Sequence, residues 1–99
     1  MRFVQTVAFS SDRIDEMQAL MDEFARNRAA DAPGFIKSTL VRDRDNDGQY
    51  LVIAEFESYE QAMENSAKPE TDAFARRMSE LAGGPPSFNN YDVVSVQEP

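Results

Sequence analysis

The chain has no cysteine and no histidine. Their absence removes disulfides, thiol nucleophiles, Ser-His-Asp triads, zinc sites built on nitrogen and sulfur donors, and haem held by a histidine. Tryptophan is also missing and glycines number only four, and neither the phosphate-loop nor the dinucleotide-binding glycine pattern occurs. Positive charge is scarce: ten Lys and Arg stand against eighteen Asp and Glu, a formal net charge of -8. Such a surface repels phosphate backbones and anionic lipid, so neither nucleic acid nor a membrane is an expected partner. Polar Ser10, Ser11, Asp12 and Arg13 follow the first residues before any export-type apolar core can form, which makes the cytoplasm the expected location. No stretch approaches the roughly eighteen apolar residues of a membrane span.

What remains is 99 residues, 41% hydrophobic and 28% charged, the profile of one globular domain over residues 1–99, with no repeat, linker or low-complexity tract. Residues 2–9 alternate, with Phe3, Val7 and Phe9 on one face and Val4 and Ala8 on the other, which predicts a strand. Asp12, with Asp15 three residues on, predicts a helix start. Ile14, Met17, Met21, Phe24 and Arg28 then recur at spacings of three and four, enough for a helix of about four turns. Asp31-Ala32-Pro33-Gly34 should end it. Phe35–Arg42 and Tyr50–Glu57 read as strands joined through Asp43-Arg44-Asp45-Asn46-Asp47-Gly48, a strong hairpin signal. Ser58 with Gln61 forms a capping box for a short helix through about Ala67. Pro69 suits the first turn of another helix, carrying Phe74, Met78 and Leu81, which Gly83-Gly84-Pro85-Pro86 stops. Val93, Val94 and Val96 predict a closing strand over Tyr91–Gln97.

This order is βαββαβ, an α+β, ferredoxin-like fold whose helices cover only one face of a four-stranded antiparallel sheet. The other face would carry Leu51 and Ile53 as well as the second side of an apolar first strand. A second copy of the sheet is the simplest cover, and the expectation is a homodimer packed face to face over an area on the order of 2,000 Å².

Pro33-Gly34-Phe35, the acidic hairpin, the run Ile53-Ala54-Glu55-Phe56-Glu57-Ser58-Tyr59-Glu60-Gln61-Ala62 and the closing Tyr91-Asp92-Val93-Val94 together resemble the antibiotic biosynthesis monooxygenase family. These motifs span nearly the whole chain. The resemblance implies a dimeric α/β barrel and, among several activities, cofactor-free oxidation of quinols and polyketides or degradation of haem. Haem-degrading members place a histidine on the second helical segment, an asparagine in the first strand and a tryptophan at the end of the third; the corresponding residues here are Phe74, Val7 and Phe56. Without an axial ligand, haem degradation is not expected. The polyketide oxidases have an asparagine four residues before that tryptophan, where this chain has Val52.

The family arrangement implies a cleft between helices and sheet, walled by Phe3, Val7, Phe24, Val52, Phe56 and Phe74, with Gln5 as its polar side. A solid core would use the same side chains; an open cleft would suit a flat apolar molecule. Arg76 and Arg77 on the last helix, and Asn89, Asn90 and Asp92 before the final strand, are further polar groups, of which Arg77 and Asn90 are the candidates to reach a ligand. Asp43, Asp45, Asp47 and Gly48 match the opening of a calcium loop, but its twelfth position falls on Ala54 and strands flank it, so no metal site is expected. Two functions stay open. One is a cofactor-free oxygenase acting on an electron-rich aromatic, with no identifiable catalytic base. The other is a non-catalytic dimeric barrel that holds a small hydrophobic ligand or has a structural or stress-related role.

Overall fold

The computed structural model describes residues 1–28 and 32–99, the side chains of residues 27 and 28 excepted. Among these residues the elements run β1 (Phe3–Ser10), α1 (Ile14–Arg28), β2 (Phe35–Arg42), β3 (Gln49–Phe56), α2 (Tyr59–Ser66), α3 (Pro69–Leu81) and β4 (Ser87–Asp92). The strands form one antiparallel sheet in the order β2-β3-β1-β4, as a ferredoxin-like fold requires. None of the described helices is long and apolar enough to cross a membrane.

Local chemistry explains the boundaries. Ser58 Oγ accepts from the Gln61 backbone N–H at 3.2 Å and donates to Gln61 Oε1 at 3.1 Å, so the two side chains close the first turn of α2. Lys68 N donates to the Asn65 carbonyl at 3.2 Å as that helix ends, and Pro69 opens α3 at N1, where a missing N–H costs nothing. At the start of α1 the accepting oxygen belongs to Ser11, whose hydroxyl takes the Arg13 N–H at 3.0 Å, and the helix begins at Ile14. The expected turn before β2 opens at Asp31, which lies outside the described residues. Its later part holds Gly34 at a φ of 81°.

The closing strand differs from expectation. It is Ser87–Asp92, and of Tyr91–Gln97 only the first two residues belong to it. Asp92 pairs with Phe3, the first residue of β1, and the Val93 N–H reaches the Arg2 carbonyl at 2.9 Å. Past that point β1 has ended, and Val94 and Val96 are 90% and 60% exposed. The valines have strand-forming side chains without a neighbouring strand to bond.

The helix-facing side of the sheet carries two apolar clusters. The larger comprises Val7, Phe9, Met17, Val52, Met78 and Leu81; the smaller joins Phe3, Phe56 and Ala62, with Phe35 and Met63 against it. Met17 is completely buried on the inner stripe of α1, a burial that contributes about 1.5–3 kcal/mol. On the opposite face, Val4, Thr6, Leu51 and Ile53 are only half-buried and Val41 is exposed.

Gly34 is required twice over. Its φ lies where L side chains rarely go, and a Cβ there would meet Gln61 Oε1 at 2.3 Å. Gly34→Ala should therefore cost more than the roughly 1–2 kcal/mol of the left-handed backbone alone. Adding Gln61→Ala should relieve the clash with the Gln61 amide but neither the contact with its Cβ at 2.9 Å nor the backbone cost, so a double-mutant cycle of thermal unfolding will show partial recovery. At the hairpin, Asp43 accepts from the Asp45 N–H and from Asn46 Nδ2 at 2.9 and 3.0 Å. These bonds, the Asn46 side chain first, hold its carboxyl below the ordinary aspartate range. The folded value being depressed, the turn is held in full above the ordinary range and released only as pH falls below it. The Asp45 amide resonance should follow that low midpoint in an NMR titration and lose it in Asp43→Ala.

Candidate functional site

The site follows from three rows of side chains across the helix-facing side of the sheet. One row is bulky, Phe35-Phe56-Phe3, and another, Leu40-Val52-Val7-Phe88, is bulky too. The row between them is Ser38-Ala54-Gln5-Asn90, small on β2 and β3 and polar on β1 and β4. Ser38 and Leu40 join these rows because the β2 register slips by one residue between Phe35 and Lys37. Over the low middle row the helices cannot close, and a cavity of about 490 Å³ lies there.

α1 and α3 form its roof. Phe24 and Phe74 stack across the two helices with ring centroids 4.3 Å apart and planes 12° from parallel, a well-placed aromatic pair. Met21 and Met78 add flexible apolar surface, while Asn65 and Ser66 reach the wall from the end of α2. Asn65 is the one buried polar residue among those lining the cavity. Two acids, Asp22 and Asp72, also line it, and among the described residues no Lys or Arg does.

Of the residues expected at a cleft, Gln5, Val7, Phe24, Val52, Phe56 and Phe74 line this cavity. Phe3 does not: it is one row further along, within the smaller cluster, and meets Tyr59 edge to face at 5.3 Å. Asn90 touches the site only through Gln5, whose Nε2 donates to Asn90 Oδ1 at 3.1 Å. Arg77 is on the exposed side of α3, paired with Glu80 at 2.8 Å. Its charge also helps to lower the carboxyl of Glu16, which is held down first by the hydrogen bond from Arg13. Arg76 pairs with Asp72 at 3.0 Å and so neutralises one of the two lining acids. The hairpin acids are a turn, with the Asp43 carboxylate occupied by Asp45 and Asn46. Among the described residues no group of three or more Asp, Glu, His or Cys is gathered to hold a metal ion.

The arrangement can bind a planar apolar body, offer amide and hydroxyl hydrogen bonds at its edges, and exclude bulk water from the middle. The profile of the antibiotic biosynthesis monooxygenase family matches residues 3–77. Among solved structures, the cofactor-independent oxygenase SnoaB from Streptomyces nogalater superposes with a TM-score of 0.82 at 21% identity, over 96% of this chain and 95% of that one. Rv0793 from Mycobacterium tuberculosis gives 0.80 at 15% identity, over 99% and 100% of the two chains. A protein described as an antibiotic biosynthesis monooxygenase gives 0.74 at 17% identity, over 96% and 100% of the two chains. At such identities these likenesses speak for the fold. No curated protein sequence matches the chain.

If the small middle row makes the cavity, filling that row should abolish it. Wild-type protein should enhance the fluorescence of Nile red, an uncharged flat dye. Ala54→Leu should weaken that binding by about tenfold or more, with an unchanged or raised melting temperature, since filling a void adds apolar contact. Equal dye binding by the two proteins would place the dye elsewhere.

Proposed function

The chain belongs to the antibiotic biosynthesis monooxygenase family, and from that premise we propose that its cavity receives a small electron-rich aromatic, a phenol or hydroquinone, and supports its oxidation by dioxygen without a cofactor. The observation that carries this reading is the cavity itself, roofed by stacked Phe24 and Phe74 and floored by the small row at Ala54. A phenol with a free para position plus O₂ gives a quinone plus one water. One oxygen atom enters the ring, the other leaves as water, and the substrate supplies all four electrons. The protein's part in such a reaction is to hold the ring, exclude water and present a hydrogen bond to the oxygen substituent. Gln5 lines the sheet side of the cavity with its Nε2 donating to Asn90, and in this reading it is one of the amides that can offer such a bond. Arg77 is paired with Glu80, and this reading gives it no role.

A second reading has its own support. Val52 and Phe56 both line the cavity, at the two positions where the resemblance to polyketide oxidases calls for an asparagine and a tryptophan. With apolar groups there, the cavity would hold a hydrophobic ligand without turning it over.

A homodimer belongs to the same proposal. The half-buried Val4, Thr6, Leu51 and Ile53 form an apolar patch on the uncovered sheet face, which a second copy would bury. Leu51→Glu should then halve the mass found by analytical ultracentrifugation, whereas a wild-type monomer at micromolar concentration would remove the dimer.

Oxygen consumption with a panel of hydroquinones and naphthols separates the two functional readings. Uptake above the spontaneous rate, lost in Ala54→Leu, is the expected result. Binding without uptake for any compound of the panel would favour the ligand-holding barrel.

A further inference from the structure

We propose that Asn65 is the buried anchor of the cavity, hydrogen-bonding the phenolic hydroxyl or carbonyl of an uncharged aromatic whose rings lie against Phe24, Phe74 and Phe56. The inference rests on the aromatic reading of the cavity above and adds its point of attachment and its charge selectivity.

Asn65 is only 8% exposed, yet its residue type carries a donor pair and an acceptor that normally find partners when buried. Its backbone carbonyl is used by Lys68. Among the described residues its side-chain amide has no protein partner, and no side-chain nitrogen or oxygen is sealed away without one. The amide thus keeps some accessible surface, and Asn65 lines the cavity. An apolar residue would fill this place at lower cost, because a buried amide without a hydrogen bond is destabilising. Gln5 differs from it, since its Nε2 already donates to Asn90. The other polar groups on the wall are half-buried or exposed, and water can satisfy them.

Charge narrows the ligand further. Among the described residues the lining includes no cation to receive a carboxylate, phosphate or sulfonate, and its two ionised groups, Asp22 and Asp72, are acids. Arg76, one turn beyond Asp72 on α3, is bonded to that acid, and both side chains are exposed. An anion entering this cavity would lose hydration and, among the described lining residues, find no cation to receive it. A neutral phenol or quinone meets neither penalty, and either end of the Asn65 amide can serve it: Nδ2 donates to a carbonyl, and Oδ1 accepts from a hydroxyl.

Fluorescence titration with 2-naphthol, naphthalene and 2-naphthoate at neutral pH tests this, since the three share a ring system and differ in one substituent. Wild-type protein should bind 2-naphthol about tenfold more tightly than naphthalene, the range of one buried hydrogen bond, and 2-naphthoate most weakly. Asn65→Leu should erase the preference for 2-naphthol while changing naphthalene affinity by about twofold or less. Asn65→Ala gives the same comparison if melting curves show that the leucine variant does not fold. A preference for 2-naphthol that survives both substitutions would overturn the anchor and leave the cavity reading intact. Tighter binding of 2-naphthoate than of 2-naphthol would overturn the charge selectivity. Wild-type protein that binds none of the three would overturn the aromatic reading itself, and the anchor with it.

Discussion

Ser11 holds together parts of the chain that are far apart in sequence. Its hydroxyl donates to the Leu81 carbonyl at the end of α3 and accepts the Arg13 N–H at the start of α1, each at 3.0 Å. Its own N–H reaches the carbonyl of Gly48 at the hairpin, at 2.9 Å, and the adjacent Ser10 carbonyl takes the Gly83 N–H at 2.8 Å. One buried residue thus satisfies two helix ends and fixes both against the sheet. A carbonyl left without this hydroxyl would cost about 1–3 kcal/mol. The relative placement of α1 and α3, and with it the Phe24–Phe74 stack that roofs the cavity, depends on this junction.

The opposite end of the sheet is fixed by a different contact. Gly34, with its carbonyl accepting from Glu57 at 2.7 Å, sits directly against Gln61, which in turn caps α2 with Ser58. The Pro-Gly-Phe turn and the segment after β3, distant in sequence, are two sides of one contact. Their joint occurrence is a matter of steric fit, which is why motifs that look weak one by one carry a fold when taken together.

Much of the architecture was legible because its signals are local. Alternation marked β1 and β3, Asp-Gly marked the hairpin, and Ser58 with Gln61 and then Pro69 marked the break between α2 and α3. Where a feature depends on something distant, local pattern misled. Val93 to Val96 alternate as well as any strand, but β1 ends before they begin. Phe3 shares the alternation of Val7 yet falls in another row, beneath Tyr59. The aromatic wall of the cavity was visible as helical spacing, and the cavity was not, because it is made by what Ser38 and Ala54 lack. Asn65 was hidden in a short, charged helix whose end gives no hint of what it faces, and a register slip at Ile36 conceals the side of the sheet to which Ser38 belongs.

The low middle row also divides the interior. One apolar cluster is bound to α1 and α3, the other to α2, and the open volume lies between them, bordered by Val52 and Met78 from the first and Phe56 from the second. Side chains that do not meet across this volume share no packing contact, so the clusters are joined mainly through the backbones of β1 and β3, which both of them use. A molecule lodged between them would touch both and make the interior continuous. Occupancy would then appear as greater cooperativity of the whole domain, with the two ends of the sheet melting as one body instead of two neighbours.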